Sequence, residues 1–357
     1  MSGRVLIIAE AGVNHNGDIG LARALIDAAV DAGADVVKFQ TFVPEEVISR
    51  FARKAEYQER TTGASESQLD MVRKLALPMT AYGDLADYCR TRDITFLSTP
   101  FDLPSLEVLV RDLRLDTIKL ASGEVTNAPL LLASAAAGVE VILSTGMSTL
   151  DEVREALGVL AAGYLGRTRP TRAAFAEAFA DPAGQAALRA KVRLLHCTTE
   201  YPAPFTDANL RAMDTLRDAF GLPVGFSDHT PGINIPIAAV ARGAVIVEKH
   251  FTLDRAMPGP DHKASLNPAE LKAMVEGIRQ VEAALGDGRK VPAPSEVKNI
   301  AIARRSIVAR RAVAAGAAFG DGDLTAKRPG DGISPLRFWE ILGTSARRAY
   351  EPDEQID

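Results

Sequence analysis

The 357-residue chain has two cysteines, Cys89 and Cys197, one tryptophan, and only 6% aromatic residues. Two cysteines cannot build a disulfide framework or a Cys-rich zinc site, and they fit a reducing compartment. Long apolar runs are also missing. The most apolar stretch, Pro129–Leu143, is short and interrupted by Gly138 and Glu140, so no bilayer span is expected. The N-terminal stretch, with one Arg and a five-residue apolar run before Glu10, is too slight for a secretory signal, and a cytoplasmic location is expected. There is no excess of positive charge either. With 41 Lys+Arg against 46 Asp+Glu the net charge is −5, which argues against a protein that coats nucleic acid or an anionic membrane.

What the chain does have is rhythm. Short Val/Ile/Leu runs read as buried strands at Val5–Ala9, Val36–Phe39, Thr95–Leu97, Thr117–Leu120, Val139–Leu143, Val192–Leu195, Pro223–Phe226 and Val245–Glu248. Segments of helical period alternate with them, among them Gly20–Ala32, Ala81–Arg92, Leu150–Ala162 and Pro268–Leu285. Eight such units in residues 1–285 predict an α/β fold, a closed (β/α)8 TIM barrel. A doubly wound sheet is the rival, but no Gly-rich dinucleotide turn follows the first strand. Residues 41–77 make a long connection of the kind that forms lids or binding loops. Residues 163–190 precede the sixth strand, which predicts a packing role on the face away from the strand ends. Residues 286–299 read as a Gly/Pro-rich linker, and 300–357 as a small, turn-rich capping domain. Between Lys298 and Arg348 ten Lys/Arg face four Asp/Glu, a local balance of +6 that suits either a solvated basic face or a cap for an anionic ligand.

Nearly every strand ends in polar residues, and in a barrel these converge at one mouth. His229 and His250 close adjacent strands seven and eight, so both imidazoles could reach one divalent ion; Mn2+ suits such a site best, with Mg2+ less natural. Hydrogen-bonded histidines without metal are the plain alternative, and His15 and His196 fit that role as readily as a ligand's. Lys38 and Lys119 end buried strands, where an ammonium is costly unless it is paired or meets an anion. Phosphate cradled with Ser122 and Ser144, a Schiff-base lysine, and a structural salt bridge all remain open for them. Glu10, Glu124 and Asp261 are candidate proton carriers near the mouth, Asp261 within a rigid Met257–Lys263 loop.

The ordered blocks AEAGVNHNG, VKFQ, STPFD, SGE, LSTGM, HCTTEYPAP, FSDHT, EKHFT, GPDHKAS and KRPGDGIS resemble the sialic acid synthase family over almost the whole chain. That resemblance implies condensation of phosphoenolpyruvate with a hexosamine to give a nine-carbon sugar acid, in surface glycoconjugate biosynthesis. It implies an antifreeze-like (SAF) domain at the C-terminus, which in the family caps the partner's barrel in a swapped homodimer. By the same resemblance, His229 and His250 match metal ligands, with Mn2+, Mg2+ or Co2+ as the cation. Lys38, Thr99, Phe101, Lys119, Ser122, Ser144 and Ser227 match the phosphoenolpyruvate set. Gln40, Thr199, Tyr201 and Arg328 match sugar contacts, the last from the partner subunit. Glu10 and Asp261 match acids around the sugar and the metal, and Glu124 a carboxylate that manages water addition at C2.

The block Lys54–Leu77 and the motif HCTTEYPAP are similar to the legionaminic acid synthase branch, whose acceptor is 2,4-diacetamido-2,4,6-trideoxymannose. N-Acetylneuraminate synthases, which take N-acetylmannosamine, typically carry Asn at the position of Thr199 and differ around Thr62–Ser65. The alternatives are therefore that synthase or another nonulosonate synthase and, more remotely, a lysine aldolase.

Overall fold

The computed structural model describes residues 4–56, 58–59, 66–167 and 169–357. The loop singled out at Thr62–Ser65 lies outside the described residues. The chain divides into two compact units, Met1–Gly286 and Asp287–Asp357.

In the first unit eight parallel strands follow one another with helices between them. They are β1 (Leu6–Gly12), β2 (Val36–Thr41), β3 (Thr95–Pro100), β4 (Thr117–Leu120), β5 (Glu140–Ser144), β6 (Val192–Cys197), β7 (Val224–Asp228) and β8 (Ile246–His250). The ladder runs β3-β2-β1-β8-β7-β6-β5-β4, and β3 and β4 lie side by side with Cα atoms within 8 Å. The sheet is thus a nearly closed (β/α)8 barrel. Each strand lies within a few residues of its expected position, and most run one or two residues further into the polar cluster that follows.

Strand side chains alternate between the two faces of the sheet, and here that alternation builds the barrel interior in layers. Ile8, Val36, Leu97, Ile142, Leu195 and Ile246 form one apolar layer inside the barrel. Two residues further along the same strands stand Glu10, Lys38, Thr99, Ser144, Cys197 and Glu248, all buried and all polar or ionisable apart from the thiol. The outward-facing alternate residues join a second, larger core with the helices, typified by Ile7, Val37, Phe39, Val141, Leu194 and Val247. A plug of hydrocarbon therefore seals the barrel beneath a charged layer.

Residues 163–190 form helices Arg172–Ala180 and Pro182–Lys191. The first packs against helix Leu150–Tyr164, and the second against that helix and β6. Gly158 makes this close approach possible, since a Cβ there would stand 2.7 Å from the Phe175 carbonyl oxygen.

The second unit has its own core around Ile307, Phe319, Leu324 and Tyr350, under an antiparallel pair, β9 (Ser306–Ala309) and β10 (Leu324–Lys327). Helix Pro294–Ala303 starts inside the segment read as linker, so irregular chain covers only its first half. Pro294 opens that helix where a missing N–H costs nothing.

The interior layering makes a stability prediction. Gly225 on β7 leaves room for its neighbours, since a Cβ there would stand 2.5 Å from the Ile246 carbonyl oxygen and 2.7 Å from Leu195 Cδ2. Gly225→Ala is expected to destabilise the barrel by about 1–3 kcal/mol through overpacking. Urea unfolding followed by circular dichroism checks this, and an unchanged midpoint would contradict the packing described.

Candidate active site

The strand ends open into a cavity of about 430 Å3 at the C-terminal mouth of the barrel. The structure brings most of the expected residues onto its walls: Glu10, Lys38, Gln40, Thr99, Phe101, Lys119, Ser122, Ser144, Thr199, Tyr201, Ser227, His229, His250 and Asp261. Two are not there. Glu124 sits in the turn Ser122–Thr126, half-buried, with Oε2 accepting from Asn127 Nδ2 at 2.6 Å. Arg328 belongs to the second unit, where its Nε donates to the Ala303 carbonyl.

The floor is a chain of buried charges. Lys38 Nζ is 2.8 Å from Glu10 Oε2 and 3.6 Å from Glu248 Oε2, and it donates to Thr99 Oγ1 at 3.2 Å. Lys119 Nζ is 3.2 Å from Glu248 Oε1, which also accepts from Ser227 Oγ at 2.9 Å. Glu248 is thus shared between two ammonium groups. Burial pushes its carboxyl up, but Lys119 and Lys38 outweigh burial and hold it at about 2. Glu10 differs. Burial pushes it up to about 7 against the pull of Lys38. Burial also lowers Lys119, partly offset by Glu248. An ammonium kept charged at a desolvation cost is poised to gain from an entering anion.

Beside this floor stand the two histidines, their ring centroids 5.5 Å apart. Burial lowers both: His229 to about 4, and His250 well below its ordinary value, with His229 adding to the effect. His229 Nδ1 contacts the Thr198 carbonyl oxygen at 2.6 Å, which fixes the proton on that nitrogen and leaves Nε2 a lone pair. His250 Nδ1 is buried without a hydrogen-bond partner. The Tyr201 ring packs 4.2 Å from that of His229. Burial pushes Asp261 up to about 6. Two neutral imidazoles, one with an orphaned nitrogen, are a donor set that fits a divalent first-row cation. Among the described residues no group of three or more His, Cys, Asp or Glu could hold a metal, so other ligands would have to come from substrate or water.

Two backbone features hold the rim. β1 bulges between Glu10 and Gly12, and Gly12 takes φ +53°, bringing the chain against Glu10 Oε1, Gln40 Nε2 and His250 Cε1. After β5, Gly146 lies where a Cβ would be 2.5 Å from Thr199 Oγ1 and 2.9 Å from both Cys197 Sγ and Ser122 Oγ. Its N–H donates to Ser122 Oγ at 2.9 Å, and Cys197 Sγ is 3.0 Å from the same oxygen.

The remaining candidates sort cleanly. Lys249, the third lysine an aldolase could use, faces out of the barrel and pairs with Asp228 at 2.5 Å. His196 contacts the Ala208 carbonyl at 2.9 Å, and His15 accepts from the Gly17 N–H at 3.1 Å; neither lines the cavity. Glu248 and Cys197 stand in polar strand-end clusters of a sequence that alone gave them no role, and the structure brings both to the cavity. The signal for Glu248 was present, because it precedes His250 by two residues on one strand and therefore shares its inward face.

The geometry defines a barrel enzyme whose mouth pairs ammonium groups with unprotonated imidazoles. The chain belongs to the NeuB family, whose profile matches residues 25–290, and a SAF domain matches residues 304–357. It is 50% identical, over 99% of both chains, to the N,N'-diacetyllegionaminic acid synthase of Campylobacter jejuni. It is 43% identical to the Legionella pneumophila protein of the same name, over 95% of this chain and 89% of that one. A crystal structure of an N-acetylneuraminic acid synthetase from Leptospira borgpetersenii, in complex with citrate, aligns with TM-score 0.67 at 35% identity, covering 84% of this chain and 91% of that one. No described helix is long and apolar enough to cross a membrane.

The shared anion makes a prediction. Glu248→Gln leaves Lys38 and Lys119 facing each other with only Glu10 for compensation, and is expected to cost about 3–5 kcal/mol as a broken buried pair. Inorganic phosphate should raise the thermal midpoint of the variant more than that of the wild type. Equal shifts in differential scanning calorimetry would mean that phosphate binds elsewhere.

Proposed function

We propose that the protein is a transferase that condenses phosphoenolpyruvate with 2,4-diacetamido-2,4,6-trideoxymannose and water, giving N,N'-diacetyllegionaminic acid and phosphate. The observation that carries this reading is the meeting, in one cavity, of two buried lysines and two neutral histidines. The near full-length identity to two proteins named for that product supports the choice of sugar.

Lys38 and Lys119 hold the phosphate of phosphoenolpyruvate, with Ser122, Ser144, Ser227 and Thr99 as hydroxyl partners and Phe101 against the enol. Ser144 Oγ and Thr199 Oγ1 are buried without a partner and are free to meet substrate. His229 and His250 would hold a divalent cation, Mn2+ being the best match; it would supply Lewis-acid polarisation of the open-chain sugar aldehyde. Gln40, Thr199, Tyr201 and Asp261 orient the sugar.

C3 of phosphoenolpyruvate then forms a bond to the aldehyde carbon, whose oxygen takes a proton and becomes a hydroxyl. Water adds at the electron-poor C2, giving up one proton, and the C2–O bond to phosphate breaks as the ketone forms. Glu10, its carboxyl held near 7, can hold or release a proton close to neutral pH, which is what proton transfer at the aldehyde oxygen asks of it. Glu124 is assigned the water addition, which requires the Ser122–Thr126 turn to bring it toward C2. Lys38 and Lys119 stabilise the charge that shifts onto the departing phosphate.

The test is an assay of inorganic phosphate with N-acetylmannosamine and the diacetamido sugar offered side by side. Release should require phosphoenolpyruvate, sugar and divalent metal together, with kcat/KM higher for the diacetamido sugar. The His229→Ala/His250→Ala double variant should lose metal binding by calorimetry and turnover by about 10²-fold or more. Full turnover of that variant in the presence of chelator would overturn the metal assignment, and a preference for N-acetylmannosamine the choice of acceptor.

The protein is further proposed to work in the cytoplasm as a swapped homodimer in which Arg328 reaches the partner's sugar. Mixing inactive Arg328→Ala and Glu124→Gln subunits should then restore part of the activity. Heterodimers confirmed by native mass spectrometry but without recovered turnover would remove Arg328 from that role.

A further inference from the structure

The cavity has a second side whose chemistry the condensation does not use. Opposite the charges, the 41–77 connection contributes Val47, Ile48, Met71, Val72 and Leu75 to its lining. These residues form a built wall. Val13, Phe42 and Leu75 make a small hydrophobic cluster of their own, with Val72 and Phe101 packed on it. The rings of Phe42 and Phe101 meet edge to face at 6.3 Å.

Helix Gln68–Leu75 turns Gln68, Met71, Val72 and Leu75 toward the cavity, the i, i+3, i+4, i+7 spacing of a single face. Its other face is pinned by ions: Arg73 to Glu45 at 2.8 Å, and Lys74 to Glu66. Ser67 caps its start by accepting from the Asp70 N–H. The wall combines the methyl groups of Val47, Ile48, Met71, Val72 and Leu75 with two amides, Gln68 Nε2 donating to Gln58 Oε1 at 3.4 Å.

Phosphoenolpyruvate, small and anionic, offers only its enol CH2 to such a surface, at Phe101, and leaves the methyl groups of Val47, Met71 and Val72 to another ligand. Apolar lining is matched by apolar ligand area, and amides at its edge fix orientation. We infer that the Gln68–Leu75 helix reads the acceptor: the wall of Val72, Met71 and Val47 takes the sugar's deoxygenated C6 methyl and the methyl of its second acetamido group, and Gln68 pairs with that acetamide. The inference rests on the reading of the acceptor given above and assigns specificity to residues remote from the charged floor.

The test uses the full-length enzyme carrying Val72→Thr, which keeps side-chain volume and places a hydroxyl in the wall, and separately Val47→Thr. Both sugars are assayed with each variant and the wild type. One buried methyl is worth about 10- to 200-fold in discrimination, so kcat/KM for the diacetamido sugar should fall at least about tenfold, while that for N-acetylmannosamine and the KM for phosphoenolpyruvate change less than about threefold. An unchanged ratio between the two sugars in both variants would overturn the inference. So would a parallel fall for both sugars, because the wall would then be structural. A wild type that prefers N-acetylmannosamine would sink the acceptor reading itself and take this inference with it, whereas a wild-type preference for the diacetamido sugar with unshifted variants sinks the inference alone.

Discussion

Glu248, buried between Lys38 and Lys119, is the constraint on which the rest of the mouth depends. Two ammonium groups inside a barrel repel each other and lack solvent, and neither would stay charged without an anion between them. Glu248 supplies that anion from β8, and Ser227 on β7 fixes its orientation. Glu10 takes the remaining side of Lys38 and carries the tension in its own raised carboxyl. The floor is therefore partly neutralised before substrate arrives, and an entering phosphate meets in Lys119 an ammonium whose burial Glu248 offsets only in part.

The layering explains how the same strands serve both stability and chemistry. A change of two residues along β1, β2, β5 or β8 moves from hydrocarbon to a functional group: Ile8 to Glu10, Val36 to Lys38, Ile142 to Ser144, Ile246 to Glu248. The apolar layer keeps water out from below, so the charges above it act in a low-dielectric pocket where each is worth more than at a surface. The outward-facing alternates, such as Lys249 with Asp228, are held by their own pairing and take no part.

Much of this was legible in the residues. The eight apolar runs gave the barrel, and the polar blocks after them gave its mouth, because strand period and barrel closure leave those residues one place to go. Lys38, Lys119, His229 and His250 were legible as ionisable groups at the ends of buried strands. Glu248 was legible as a polar residue at the end of the eighth strand, but not its role as the shared partner of Lys38 and Lys119, which depends on the register of β2, β4 and β8 around the closed barrel. The packing of residues 163–190 on helix Leu150–Tyr164 was not legible, since it depends on a close backbone approach that only the missing side chain of Gly158 permits. The apolar wall was legible only in part: Leu69–Leu75 carries a helical period, but that its face lines the cavity follows only from docking against Phe42 and Val13. Glu124, expected at the mouth by its motif, stands half-buried in the turn after β4, beside lining residues Ser122 and Gly123.

The hydrophobic cluster behind that wall is separate from the large core that closes the barrel. Its members come mainly from one excursion of the chain between neighbouring strands, so its side chains can drift in size and polarity without disturbing the ion pairs beneath. Substitutions confined to that cluster are thus separable, in packing terms, from the buried charges: the two halves of the cavity wall rest on different hydrophobic foundations.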